Sequence, residues 1–118
     1  MIRGIGVDIV DLARFERQVS RTPGLIPRLF TEAERGLPLH SLAARFAAKE
    51  ALIKALGDSA GVSWQEMDVV TDTHGNPGFA LHGGAKAALA ARGIDTVHLT
   101  MTHDAGVACA FVVTEGSA

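Results

Sequence analysis

Arg45-Phe46-Ala47-Ala48-Lys49-Glu50-Ala51, continued by Lys54-Ala55-Leu56-Gly57, is the stretch on which the fold turns. On a helical wheel, at about 100° per residue, Leu42, Phe46, Leu52, Ile53 and Leu56 share one broad face. Ala44, Ala47, Ala48, Ala51 and Ala55 make a second, smooth face suited to close packing. Glu50 and Lys54, one turn apart, fall on the border between the two. A helix with two apolar faces crosses the middle of a domain, so its charged members need partners. Ser41 is the predicted cap, Leu56 the last helical residue and Gly57 the stop.

Upstream, Ile2 to Val10 is apolar, β-branched and glycine-punctuated, and reads as a buried strand carrying one acid, Asp8. Asp11 can cap a helix over Leu12 to Val19 that ends near Thr22-Pro23-Gly24. Leu25 to Phe30 is a short apolar segment, and Thr31-Glu32-Ala33-Glu34 begins a further helical turn. Downstream, Met67 to Thr73 and Gly78 to Leu81 read as strands around the turn His74-Gly75-Asn76-Pro77. Gly83-Gly84 leads into a helix over Ala85 to Ala91, closed by Arg92-Gly93. Thr96 to Thr102 and Val107 to Thr114 are strands joined by His103-Asp104-Ala105-Gly106, and the tail from Glu115 to Ala118 is read as loose. The order β-α-α-α-β-β-α-β-β gives an α+β domain: a mostly antiparallel sheet packed with a central helix.

Composition narrows the class. At 118 residues the chain holds one core, read as a single domain over 1–118. With 47% hydrophobic and 20% charged residues it folds rather than staying disordered. A formal net charge of −2 makes no case for nucleic acid. The charge is nevertheless uneven. Arg3, Arg14, Arg17, Arg21 and Arg28 outweigh Asp8, Asp11 and Glu16 in the first 28 residues, a patch suited to an acidic partner. The single cysteine, Cys109, excludes an internal disulfide and reads as a small core residue. No apolar stretch has the length of a membrane span and no signal-peptide pattern opens the chain, so it reads as cytoplasmic.

Asp8 and Glu50 carry the chemical lead. Each alone has a plain structural reading: Asp8 as half of a buried salt bridge with an arginine, Glu50 as half of a helix pair with Lys54. Together they match the minimal protein ligand set of Mg²⁺, which takes one or two carboxylates and completes its octahedron with waters and phosphate oxygens. Lys54, Lys49 and Arg45 are candidates for phosphate oxygens, although Lys49 and Arg45 lie on a different side of the helix from Glu50. His103 stands at a strand end, where sites collect. His40, His74, His82 and His98 read as structural, for none has metal-ligand spacing with another histidine or cysteine. There is no Walker loop, no complete dinucleotide fingerprint and no nucleophile elbow.

These blocks resemble the holo-acyl-carrier-protein synthases, the small 4′-phosphopantetheinyl transferases. The likeness spans nearly the whole chain. It rests on Gly4-Ile5-Gly6-Val7-Asp8-Ile9-Val10, Phe30-Thr31-Glu32-Ala33-Glu34, the Arg45 to Gly57 block, Asp72-x-x-Gly75-Asn76-Pro77 and Thr102-His103. The resemblance implies Mg²⁺-dependent transfer of the phosphopantetheine arm of coenzyme A to a serine of an apo acyl carrier protein, or of a carrier domain in a fatty-acid synthase. Adenosine 3′,5′-bisphosphate would be released, and the chain would work as a homotrimer with coenzyme A between subunits. By the same resemblance Asp8 and Glu50 hold the metal. Lys54 neutralises charge and relays a proton, and with Arg45 and His103 it binds the nucleotide. Arg14, Arg17, Gln18 and Arg21 dock the carrier, and Glu34 matches an acid near the metal. The chain departs from the pattern in a short connection from Glu34 to Ser41, in Ala44 where glycine is common, and in Leu99-Thr100-Met101-Thr102 where a serine-rich strand is usual.

Two other readings use the same residues. A metal-dependent nucleotide pyrophosphatase would take water as acceptor and need no basic docking helix. A non-catalytic binding module would bind coenzyme A or a partner without turnover.

Overall fold

A computed structural model describes residues 1–117. The first strand, β1 (Ile2–Asp11), enters the fold flat against the central helix, α3 (Leu39–Leu56). Two glycines make that approach possible. A Cβ on Gly4 would lie 2.0 Å from the carbonyl oxygen of Ala55, and one on Gly6 would lie 2.0 Å from that of Ala51. No side chain fits there, so β1 and the alanine face of α3 meet backbone to backbone. Ala47, Ala48 and Ala51 are fully buried, as the wheel predicts.

Asp11 closes β1 and caps α1 (Leu12–Arg21), its Oδ1 accepting the Arg14 backbone N–H at 2.9 Å. After α2 (Leu25–Leu29) the helical turn expected from Thr31 does not form; residues 32–36 are turns. Glu34 folds back instead, its Oε1 accepting the Thr31 N–H at 3.0 Å while Lys49 holds the same oxygen. The central helix begins at Leu39 rather than after Ser41, with Pro38 in the capping position and no side-chain cap. Gly57 ends it at φ +90°, a left-handed conformation that glycine adopts without strain.

A single 3₁₀ turn (Trp64–Glu66) leads to the hairpin β2 (Met67–Thr71) and β3 (Pro77–Leu81). Asp72 fixes its turn by accepting the backbone N–H groups of His74 and Asn76. The helix α4 (Gly83–Ala91) follows, and Glu66 accepts the N–H groups of Gly84 and Ala85 in its first turn. β4 (Thr96–Asp104) and β5 (Val107–Glu115) complete a three-stranded antiparallel sheet in the order β1-β5-β4, separate from the β2-β3 pair.

Register settles which residues share a face. Asp8 pairs with Ala110, which pairs with Met101; Val10 pairs with Ala108, which pairs with His103. Cross-strand neighbours point to the same side, so Asp8 and His103 share the face that covers α3. The opposite face carries Ile5, Val7, Ile9 and Phe111, all exposed. β1 is thus buried on one side only, not on both as its composition suggests. The tail is also tied down as far as Ser117: Met1 and Gly116 bond each other, and Arg3 donates to the Ser117 carbonyl at 2.7 Å. Ala118, the last residue of the segment read as loose, lies outside the described residues.

Candidate functional site

The close contact of β1 with α3 delivers Asp8 to the turn of α3 that carries Glu50 and Lys54. Lys54 Nζ lies 2.9 Å from Asp8 Oδ1 and donates to the Val7 carbonyl at 3.1 Å. The i+4 partner that Glu50 has in sequence is therefore engaged elsewhere. Among the described residues no cation forms an ion pair with Glu50. Burial, then the charge of Asp8, push the Glu50 carboxyl above its ordinary range, and Lys54 offsets part of this. The pair borders a cleft of about 290 Å³, together with Arg14, Gln18 and Phe46.

Two neighbouring carboxylates that face one cleft offer hard oxygens, and these suit a small divalent cation. Among the described residues no group of three or more His, Cys, Asp or Glu side chains could hold a metal. A pair is what Mg²⁺ uses when phosphate oxygens supply the rest, so Asp8 and Glu50 fit that ion in company with a phosphorylated ligand.

Beside this cleft lies a second one of about 480 Å³ that Glu50 also borders. Its floor is aromatic: Phe15 stacks on Phe46 with centroids 5.8 Å apart, and Phe46 meets Trp64 at 5.8 Å. Gln18, Arg21 and Arg28 stand along it. Of the four residues expected to dock a partner, Arg14 and Gln18 reach the carboxylate cleft, while Gln18 and Arg21 reach the aromatic one. Arg17 lines neither and is exposed on α1.

Arg45 and His103 meet away from the carboxylates, in a cleft of about 180 Å³ between the start of α3 and the end of β4. His40, read from sequence as structural, lines the same cleft with its ring centroid 5.1 Å from that of His103. An isolated histidine at a helix start gives no sign in sequence of a neighbour 63 positions away; the packing of α3 against the sheet supplies it.

Lys49 and Glu34 leave the list of ligand-facing residues. Lys49 is fully buried, its Nζ 2.6 Å from Glu34 Oε1 and 2.8 Å from the Leu29 carbonyl. Glu34 is 2% exposed and also accepts the Val69 N–H at 3.0 Å. Burial pushes the Lys49 ammonium down from its ordinary value, and the Glu34 carboxylate opposes that shift. This pair ties the 30–37 segment to α3 and β2, well inside the domain.

With this arrangement in view, comparison with known proteins is specific. The model of the 4′-phosphopantetheinyl transferase superfamily matches residues 4–112. The holo-[acyl-carrier-protein] synthase of Clavibacter sepedonicus is 66% identical over 116 residues, covering 98% of each chain. That of Leifsonia xyli subsp. xyli is 63% identical over 115 residues, again 98% of each. The crystal structure of the Neisseria meningitidis holo-[acyl-carrier-protein] synthase superposes with a TM-score of 0.91 at 36% identity, covering 98% of this chain and 99% of that one. The Helicobacter pylori synthase in complex with coenzyme A superposes with a TM-score of 0.83 at 31% identity, over 94% and 99% of the two chains. The chain belongs to the 4′-phosphopantetheinyl transferase superfamily, among the holo-[acyl-carrier-protein] synthases, and is an enzyme. Among the described residues no helix is long and apolar enough to cross a membrane.

Proposed function

We propose that this chain transfers the 4′-phosphopantetheine group of coenzyme A to the hydroxyl of a serine on an apo acyl carrier protein. A bond forms between the serine oxygen and the pantetheine-bearing phosphorus. The pyrophosphate bond at that phosphorus breaks, and adenosine 3′,5′-bisphosphate leaves. The observation that carries this reading is Glu50, which has no ion-pair partner among the described residues, in one cleft with Asp8, itself paired with Lys54. Asp8 and Glu50 would hold Mg²⁺, which when bound withdraws charge from the pyrophosphate. Lys54, 53% exposed and already oriented by Asp8, neutralises charge on the departing phosphate and can pass it a proton. The reaction needs in-line positioning and charge neutralisation more than an enzyme nucleophile, so a chain without one can perform it.

Arg45 and His103 are assigned to a phosphate of the nucleotide. Arg14, Arg17, Gln18 and Arg21 are assigned to the acidic surface of the carrier, and this basic face favours a protein acceptor over the water of a hydrolase. The chain is further proposed to work as a homotrimer in the cytoplasm. Two observations support assembly. Ile5, Val7 and Ile9 are 61%, 48% and 60% exposed side by side on one sheet face, an apolar strip open to a second copy. The Arg45–His103 cleft also begins at His40, ten residues before Glu50, a separation of about 15 Å along α3. That suits a ligand shared between copies, one giving carboxylates and another the phosphate cleft.

Intact-mass measurement of an apo acyl carrier protein incubated with the chain, coenzyme A and Mg²⁺ tests the reading, with EDTA as control. A metal-dependent gain of the phosphopantetheine mass is expected. Consumption of coenzyme A with no carrier gain would favour the hydrolase instead.

A further inference from the structure

The short helix α2 cannot keep its shape unaided. It has five residues, one of them Pro27, and a helix that short does not persist on its internal hydrogen bonds. Its end leaves four consecutive carbonyls, those of Pro27, Arg28, Leu29 and Phe30, for other groups to satisfy. Three side chains from outside the helix do so. Lys49 Nζ donates to the Leu29 carbonyl at 2.8 Å. Arg35 donates to the Phe30 and Pro27 carbonyls through Nε and Nη2, each at 3.1 Å. Gln65, in the 3₁₀ turn, reaches three of the four. Its Nε2 lies 2.7 Å from the Pro27 oxygen, 3.1 Å from that of Arg28 and 3.0 Å from that of Phe30. Three acceptors around one atom fix it as the amide nitrogen, for an amide oxygen would be repelled there. Among the described residues the Arg28 carbonyl has no other donor.

These bonds hold one wall of the aromatic cleft. α2 brings Arg28 to that cleft and α1 brings Arg21, while Trp64, the residue before Gln65, lines it too. Two guanidinium groups beside an apolar floor match an acidic protein surface. Arg28 is exposed and takes part in no ion pair among the described residues, so its charge is open to a partner. A long charged side chain gains most on docking when its backbone is already fixed, because less freedom is then lost. Gln65 supplies that fixing at the Arg28 carbonyl itself.

We propose that Gln65 is a positioning residue for carrier recognition: by bonding the carbonyls of Pro27, Arg28 and Phe30 it holds α2 so that Arg28 meets the acidic surface of the carrier protein. The inference rests on the transferase reading and extends the docking face from α1 across the aromatic cleft to α2. Gln65 lines neither the carboxylate cleft nor the Arg45–His103 cleft, so coenzyme A does not sense its replacement. It is exposed on the 3₁₀ turn, and changing it leaves the core untouched.

The test is steady-state transfer, with carrier protein and coenzyme A varied in turn, by wild type, Gln65→Glu and Gln65→Lys. Glutamate has the same shape but no donor when ionised, and sets an oxygen against the three carbonyls; lysine keeps three donors on a side chain of similar reach. Gln65→Glu should raise KM for the carrier about five- to tenfold, with KM for coenzyme A unchanged and kcat within about twofold. Gln65→Lys should recover most of the loss. In an Arg28→Ala background Gln65→Glu should add less than about twofold, because the contact it positions is already gone. An unchanged carrier KM, a raised KM for coenzyme A, full multiplication of the Arg28 and Gln65 effects, or a Gln65→Lys variant as impaired as Gln65→Glu would overturn the assignment. A wild type that transfers to no carrier would instead overturn the transferase reading. The role of Gln65 would then be decided by hydrogen exchange: faster exchange in Gln65→Glu confined to residues 25–30 supports its hold on α2, and any other pattern refutes it.

Discussion

Lys54 pairs with Asp8 across the β1–α3 contact at 2.9 Å, and among the described residues Glu50, one turn before it on the same helix, has no ion-pair partner. The consequence is an acid held in a disfavoured charge state, with burial and Asp8 both raising its pKa. A carboxyl whose pKa is raised on folding costs stability when ionised, and the cost is present above the unfolded value near 4.5 and absent well below it.

Glu50→Gln should therefore stabilise the metal-free chain slightly at pH 7, by about 1–3 °C in melting temperature, and make no difference near pH 3.5. It should also abolish any stabilisation by Mg²⁺ and reduce transfer at least about 100-fold. Thermal melts at both pH values, with and without Mg²⁺, check this. A destabilised variant at pH 7 would contradict the reading of Glu50 as a strained ligand.

Gly6→Ala should be among the most damaging single changes. Its Cβ would meet the Ala51 carbonyl at 2.0 Å and the Ala55 nitrogen at 2.8 Å, with only backbone to yield. Separating β1 from α3 would cost about 3 kcal/mol or more and pull Asp8 away from Glu50. Gly36→Ala, which meets nothing within 4 Å, should stay within about 0.5 kcal/mol of wild type. Urea denaturation of the two variants is the comparison.

Lys49→Met removes the cation from a fully buried pair and leaves the Glu34 carboxyl without that partner inside the domain. A loss of about 3–5 kcal/mol is expected. Glu34→Gln in the same chain should restore part of it, because the amide oxygen can still accept the Thr31 N–H or the Val69 N–H. Full activity per folded molecule in the double variant would fit a structural pair; loss of kcat in a well-folded chain would place Lys49 in the chemistry.

Arg14→Glu should raise KM for the carrier protein about tenfold and weaken its dependence on salt, while coenzyme A binding stays unchanged. Kinetics at two ionic strengths, with calorimetry for coenzyme A, would show it. An unchanged carrier KM would remove α1 as the docking face.

Much of the architecture could be read from local pattern. The wheel of residues 42–56 places both apolar faces of α3, and Asp11, Gly57 and the Asp72–Asn76 turn mark element ends through chemistry confined to a few residues. The misreadings fall where long-range contacts overrule local ones. Thr31 to Glu34 has a helix-start signature, but Glu34 is held by Lys49 and Val69, so the segment stays a turn. Ser41 is a good cap by type, but Pro38 already starts the helix three residues earlier.

The candidate site divides in the same way. By itself the sequence determined that two carboxylates and their cations stand on apolar elements, because spacing on a helix and alternation on a strand are local geometry. Tertiary structure alone decided who meets whom. The Gly4 and Gly6 approach to Ala55 and Ala51 turns Asp8 toward Glu50 and gives Lys54 to Asp8, while the register through β5 puts His103 on the α3 side of the sheet, where it meets His40. These are relations between residues 46 and 63 positions apart, fixed by packing and strand pairing. No local propensity encodes a distance across the core.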